Sequence, residues 1–279
     1  MSTKVAIVGA SGKMGRLVSG IVAEHPEFEV YAELGSGSEL FEMNGADLVV
    51  DVTVPGASQS VVDYAVSQGI NVLVGTSGWS GDRILRLEHS LAAHPDTGVV
   101  IVPNFSLGSV LATAFATMAA QFYNSIEIVE AHGATKLDSP SGTAVRTAEL
   151  ISKARAGVGP VSAPHTDQRA RGQQVASVPI HSLRLQGVVA KQDVIFGGTG
   201  EVLTLSHETI SSSSYNTGIL LGLKAARTTR GVIVGLDKLL DLDRLLAAGA
   251  SQAAPAERGA DWVAEPEKVS GQAAQATIA

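Results

Sequence analysis

The sequence predicts an α/β fold, a doubly wound parallel sheet joined to a second, α+β block. Three observations predict it. Over the first 105 residues, short runs rich in β-branched residues alternate with amphipathic stretches of helix length, the pattern of βαβ units. A glycine-rich turn, Gly9-Ala10-Ser11-Gly12-Lys13-Met14-Gly15, directly follows the first of those runs. After Pro103 the alternation stops, and two helical stretches give way to a group of strands.

The runs at 5–8, 28–32, 48–52, 72–74 and 99–102 have the apolar, β-branched character of buried parallel strands. Helices are expected at 13–24, 58–68 and 81–93, whereas the connection 33–47 is too rich in glycine for one. Residues 107–122 read as an Ala-rich helix with few charges. A strand follows from Ile126, with Ile126, Ile128, Glu130 and His132 on one face. A helix at 143–156 is entered through Ser139-Pro140-Ser141-Gly142, and 157–175 reads as an extended loop. Strands are expected at 179–185, 193–196 and 201–207, the last two joined by a turn at Gly197-Gly198-Thr199-Gly200. A helix at 216–226 returns the chain to the first block. Beyond 246 the composition is Ala, Gln, Glu, Gly and Pro with one aromatic, Trp262, which reads as a disordered tail.

Composition excludes several function classes. Apolar residues make up 45% of the 279 and charged residues 17%, a globular balance. Aromatics at 4% leave little for stacking on bases, and a net charge of −7 opposes a nucleic-acid backbone. Zero cysteines remove disulfides, thiol nucleophiles and Cys-based zinc sites together. His25, His89, His94, His165, His181 and His207 show no ligand spacing, so no metal site is expected. No apolar run is long enough to span a bilayer, and Lys4-Val5-Ala6-Ile7-Val8 reads as a strand rather than a signal peptide. The expectation is a cytoplasmic protein.

In the glycine turn, Gly9 allows the sharp bend, Gly12 admits a pyrophosphate close to the backbone, and Gly15 lets helix and strand touch. The helix N-terminus behind it offers N–H groups to phosphates. Glu33, about 20 residues on, has the offset of a ribose-binding acid, while Lys13 could neutralise a 2′-phosphate. Gly75-Thr76-Ser77 and Pro103-Asn104-Phe105 follow strands, at the carboxyl ends where open α/β sheets bind ligands. The densest constellation is Glu130-Ala131-His132-Gly133-Ala134-Thr135-Lys136-Leu137-Asp138-Ser139-Pro140-Ser141-Gly142-Thr143. Ser141, Gly142 and Thr143 open a helix and form an anion site suited to a carboxylate. His132 and Lys136 bring a proton donor and a cation to the same point.

This segment, EAHGATKLDSPSGTA, resembles the signature of the 4-hydroxy-tetrahydrodipicolinate (dihydrodipicolinate) reductase family, approximately E-x-H-H-x-x-K-x-D-x-P-S-G-T-A. VGASGKMG, VDVTVP, VVDYAVSQGINVLVGTSGW and VPNFSLG extend the resemblance in order, from Val5 to about Asp243. It implies a Rossmann-type nucleotide domain at 1–105 and 217–245, with an inserted substrate and tetramerisation domain at 106–216 built on an open mixed sheet. The tail at 246–279 lies outside it. It implies hydride transfer from NADPH or NADH to a cyclic, unsaturated imine dicarboxylate of the lysine and diaminopimelate pathway, in a homotetramer. His132 would be the general acid and Lys136 its helper, with Ser141, Gly142 and Thr143 on a substrate carboxylate. Taken with the reading of the residues, the expected cofactor set is Gly9, Ser11, Gly12, Lys13, Met14, Gly15, Glu33, Thr53, Gly75, Thr76, Ser77, Pro103, Asn104 and Phe105.

Three positions depart from the family pattern. A second substrate-contacting histidine falls on Gly133, a substrate-fixing arginine on Ser212, and the ribose acid nearest Gly35. The first two losses remove partners of a dianion and leave open a paralogue that reduces a different cyclic imine or enamine. A non-catalytic nucleotide-binding regulator is the other alternative, and retention of His132, Lys136 and Ser141-Gly142-Thr143 opposes it.

Overall fold

The computed structural model describes residues 2–242 and Arg244. The chain opens with β1 (Thr3–Val8), α1 (Lys13–Glu24), β2 (Phe28–Leu34), β3 (Leu48–Asp51), α2 (Pro55–Ser67), β4 (Asn71–Val74), α3 (Gly81–Leu91) and β5 (Gly98–Ile101). Strict alternation along buried strands builds two faces. Ala6, Val8, Val49, Val72, Val74, Val99 and Ile101 pack on Val61, Val62, Leu87 and Leu91 of α2 and α3. Val5, Ile7, Leu48, Val50, Leu73 and Val100 face the other way, onto Val18 and Val22 of α1 and onto Ile219 and Leu223 from later in the chain. Because β1 lies between β2 and β3, α1 and α2 run to opposite faces, and a crevice opens at the carboxyl ends of β1 and β3.

The second block runs α4 (Leu107–Ala119), β6 (Ser125–Gly133), α5 (Gly142–Ala154), β7 (Gln173–Val175), β8 (Val178–Leu185), β9 (Ala190–Gly198) and β10 (Glu201–Thr209). Its sheet has the order β10-β9-β6-β8-β7 and is mixed, with β6 and β8 parallel and the other pairs antiparallel. Both helices cover one face, where Ala116 and Ala120 join Ala144, Ala148 and Ile151 over Ile126, Ile128, Val178, Ile180, Val194 and Phe196. Arg155, at the end of α5, is buried and donates to the carbonyls of Ala120, Tyr123 and Gly159, fastening the end of α4 to α5. The opposite face carries Leu183 and Val202, 45% and 70% exposed.

The chain then returns through α6 (Asn216–Ala226), β11 (Gly231–Val234) and α7 (Leu236–Leu239). β11 pairs in parallel with β5 and completes a six-stranded sheet, order β11-β5-β4-β3-β1-β2. The sequence reading stopped at the helix and missed this strand, because three apolar residues between Gly231 and Gly235 carry no period of their own. It also missed β7 and a single 3-10 turn at Arg169–Arg171 inside the expected loop. The expected four-residue turn is in fact two residues, Thr199-Gly200, since Gly197 and Gly198 still pair. A 3-10 turn at Leu40–Met43 buries Met43 within the glycine-rich connection. Both sheets belong to one compact unit that runs through Leu242, and the expected tail at 246–279 lies outside the described residues. No described helix is long and apolar enough to cross a membrane.

Asn71 joins three distant pieces of the first sheet. Its Nδ2 donates to the carbonyls of Ala226 and Arg227 at 2.7 and 3.2 Å, and its Oδ1 accepts from Gly98 N at 2.9 Å. Truncation strands a buried donor and a buried acceptor, so Asn71→Ala is expected to cost about 2–4 kcal/mol. Urea denaturation checks this, as a lowered midpoint with unchanged m.

Candidate active site

At the carboxyl end of β1 the chain bends through Gly9, whose φ is +91° and where a Cβ would sit 2.6 Å from Val52 O. Gly15 lies so close to that bend that a Cβ would meet Gly9 O at 2.2 Å. Gly12 N donates back to Gly9 O at 3.0 Å, and Gly12 caps α1 with no side-chain acceptor. Arg16 N makes the first helical bond, to Gly12 O at 3.1 Å. The N–H groups of Lys13, Met14 and Gly15 therefore precede that bond and no side chain of the cap receives them. Lys13 and Arg16 are the cations of this first turn, and Arg16 Nη1 also donates to Ser11 O. An uncapped helix start, two cations and a cradle that a Cβ would fill are a fit for the pyrophosphate of a dinucleotide.

The loops after β3 and β4 are tied together beside it. Asp51 is fully buried; its Oδ1 accepts from Thr53 Oγ1 at 2.6 Å and Thr53 N at 3.1 Å, and its Oδ2 from Ser58 Oγ. Trp79 Nε1 donates to Ser58 Oγ at 2.9 Å, and Thr76 Oγ1 to Asp51 O at 3.4 Å. Thr76, Ser77, Trp79 and Pro103 line a cleft of about 310 Å³ at this edge. Glu33 is exposed and accepts from Ser19 Oγ at 2.5 Å, while Gly35 has open space around it.

A cavity of about 270 Å³ lies between the two sheets. Met14, Gly75, Pro103, Asn104 and Phe105 line it from the nucleotide side, and His132, Ser141 and Thr143 from the other. Asn104 crosses between them, its Nδ2 donating to Ser109 Oγ at 3.0 Å and to Thr143 Oγ1 at 3.4 Å. Ser141 caps α5, its Oγ accepting from Ala144 N at 3.3 Å, and Val145 N closes onto Ser141 O. The N–H groups of Gly142 and Thr143 thus precede the first helical bond.

His132 stands at the end of β6 with its Nδ1 2.6 Å from Glu130 Oε2. Glu130 is fully buried; Arg184 grips both its oxygens at 3.0 Å, and Ser141 N donates to Oε1 at 3.2 Å. Burial pushes the Glu130 carboxyl up, but hydrogen bonds from Arg184, Ser182 and His132 outweigh it and hold the group below the ordinary value of 4.5.

The structure rearranges several expected contributors. Lys136 does not line the cavity and pairs with Asp138 at 2.7 Å. Gly133 ends β6, and a Cβ there would stand 3.3 Å from Val188 O, a tight fit. Ser212 belongs to a 3-10 turn, Ser212–Tyr215, that offers Tyr215 to the cavity instead. Phe105 is 4% exposed and acts mainly as core. Sequence reasoning missed Arg184, Gln192 and His207. An arginine between two leucines, Leu183-Arg184-Leu185, was the available signal for the first; the others gave none.

A doubly wound sheet that faces an imidazole and a helix N-terminus across one cavity is an arrangement of NAD(P)H-dependent oxidoreductases, and this chain is one. More narrowly, it belongs to the dihydrodipicolinate reductase family. Models of that family's N-terminus and C-terminus match residues 3–105 and 108–240. A 4-hydroxy-tetrahydrodipicolinate reductase of Clavibacter michiganensis subsp. michiganensis is 62% identical over 285 residues, covering 100% of both chains. The enzyme of that name from Clavibacter sepedonicus is 68% identical over 243 residues, 87% of this chain and 88% of its own. Among solved structures, a dipicolinate-bound dihydrodipicolinate reductase from Paenisporosarcina sp. TG-14 superposes with a TM-score of 0.72 at 27% identity, over 85% of this chain and 99% of that one.

His207 brings a second imidazole to the cavity, its Nε2 3.2 Å from Ser106 Oγ. Burial pushes it below the ordinary value of 6.5, so the folded state favours its neutral form. The unfolded chain then binds the extra proton first as pH falls, and stability is lost on acidification below about 6.5. His207→Gln removes that component. Melting temperatures between pH 7 and 5 are expected to fall less for the variant than for the wild type.

Proposed function

We propose that this chain reduces 4-hydroxy-tetrahydrodipicolinate with NADPH or NADH as the hydride source. The observation that carries the reading is a single cavity lined by His132, by the Ser141–Thr143 helix start and by the carboxyl-end loops of the nucleotide sheet. When bound, the dinucleotide supplies the hydride. Lys13, Met14 and Gly15 hold its pyrophosphate through their N–H groups, with Ser11, Gly9 and Gly12 shaping the turn. Thr53, Thr76, Ser77, Pro103 and Asn104 form the ledge for its nicotinamide half. Gly142 and Thr143 grip a substrate carboxylate, with the Ser141 hydroxyl capping the helix behind them. His132 donates the proton that completes reduction, from the ring nitrogen not engaged by Glu130. Lys136, held by the exposed Asp138, lies on the segment that leads into this turn and assists the second carboxylate.

The division into a nucleotide domain at 1–105 and 217–245 and a substrate domain at 106–216 follows the two sheets. The exposed apolar side chains Leu183 and Val202 on the uncovered face of the second sheet support association into a homotetramer, in the cytoplasm. Lys13 and Arg16 by the phosphate turn, with Gly35 where the family acid falls, favour NADPH at least equally with NADH. Dissociation constants that differ tenfold towards NADH, about 1.4 kcal/mol, would overturn that preference.

Turnover is the direct test: absorbance loss at 340 nm with NADPH and freshly generated substrate, where a rate at background sinks the reading. His132→Ala is expected to lower kcat by roughly 10²–10⁴ and leave NADPH affinity unchanged. Ser212→Arg restores a cation beside Tyr215 and is expected to lower KM for the dicarboxylate severalfold with a smaller change in kcat.

A further inference from the structure

We propose that Glu130 is the positioning residue of this site: it keeps the proton of neutral His132 on Nδ1 and, with Arg184, holds the carboxylate-gripping turn in register with that imidazole. The inference rests on His132 being the proton donor.

An ionised carboxylate accepts about four hydrogen bonds and donates none. At Glu130 these positions are filled by His132 Nδ1 at 2.6 Å, by Arg184 Nη1 and Nη2 at 3.0 Å each and by Ser141 N at 3.2 Å, with the Ser182 hydroxyl alongside. The group is fully buried, so no water competes for these positions. With only acceptor oxygens before it, Nδ1 must carry the hydrogen, so the proton to be donated is a second one that Nε2 takes from solvent, forming an imidazolium that the Glu130 carboxylate balances.

Strand pairing makes the arrangement rigid. His132 and Arg184 are register partners in β6 and β8, and Glu130 is two residues back on the same face. Arg184 spends a further donor on Asp138 O at 2.5 Å, while Ser141 N is spent on Glu130. The segment from Asp138 to Ser141 is therefore tied at both ends to the same ion pair. One consequence corrects the sequence expectation. Ser141 does not offer its N–H to a ligand, so the anion site consists of the N–H groups of Gly142 and Thr143 and the side-chain hydroxyls. A change at Glu130 should therefore reach both the acid and the grip.

The first measurement reads the wild type. Long-range ¹H–¹⁵N spectra of wild type at pH above 7.5, with His132 assigned by its disappearance in His132→Ala, are expected to show the Nδ1–H tautomer. An Nε2–H tautomer overturns the proposal. In Glu130→Gln the one remaining oxygen stays with Arg184 and Ser141, so the amide NH₂ faces His132 and the ring proton moves to Nε2. That variant has no anion to balance the imidazolium that donates from Nε2, and it is expected to lose kcat by roughly 10²–10⁴. It should bind pyridine-2,6-dicarboxylate at least about threefold more weakly and NADPH within about twofold of wild type. A kcat within about threefold of wild type overturns the proposal, as does loss of activity with the Nδ1–H tautomer intact. His132→Ala separates the layers. If it too keeps its kcat, the reading of His132 as donor fails; if it loses kcat while Glu130→Gln keeps it, only the positioning role fails.

Discussion

Much of this structure depends on the room left around one phenyl ring. Phe105 sits where the chain leaves the first sheet for the second, and three glycines meet it there. A Cβ on Gly75 would stand 2.7 Å from its ring, one on Gly218 would stand 2.0 Å from its carbonyl oxygen, and Gly222 lies against its other edge. Without those absences α6 could not close on the ends of β4 and β5, and Asn104 could not reach across to Thr143. The geometry of the cavity is thus set by close packing one residue away from it, in a core that tolerates little change of volume. The substrate side takes its position from the nucleotide side in part through that crossing.

The two sheets use burial differently. The parallel sheet buries mainly apolar side chains, with Asp51 and Asn71 tied to neutral partners at strand ends, and its crevice is left at the edge, lined by backbone groups and short polar side chains. The mixed sheet carries an ion pair into its interior. A buried charge is costly unless its partners are complete, and at Glu130 they are. This difference follows from what each half must hold. A pyrophosphate is met by N–H groups and a helix dipole, while a proton donor needs a fixed partner behind it.

The parallel half was legible because its strands are apolar on both faces and its glycine turn sits at the one place a doubly wound sheet needs it. α1 begins at Lys13 and ends at Glu24, as the periodicity implies. β11 was not legible, since its four residues become a strand only through β5, more than a hundred residues earlier. In the site, His132, Ser141 and Thr143 were readable from local spacing. Arg184 and His207 were not, because Arg184 meets Glu130 across 54 positions and His207 meets Ser106 across 101. Local pattern locates side chains that act within one turn; it is silent on partners supplied by sheet register. The same limit explains Lys136, whose sequence neighbour Asp138 claims it, and Phe105, whose glycine neighbours come from two other elements.

The bare start of α1 has a thermodynamic corollary. Gly12 contributes no capping oxygen, so the helix carries unmet donors at its N-terminus whenever the phosphate site is empty. A dinucleotide is then the missing end of the secondary structure as well as a reactant. Such a ligand binds the folded chain and not the unfolded one, and each tenfold excess over its dissociation constant adds about 1.4 kcal/mol to the stability of the whole unit. Cellular cofactor supply would accordingly govern how long this protein survives as well as how fast it turns over.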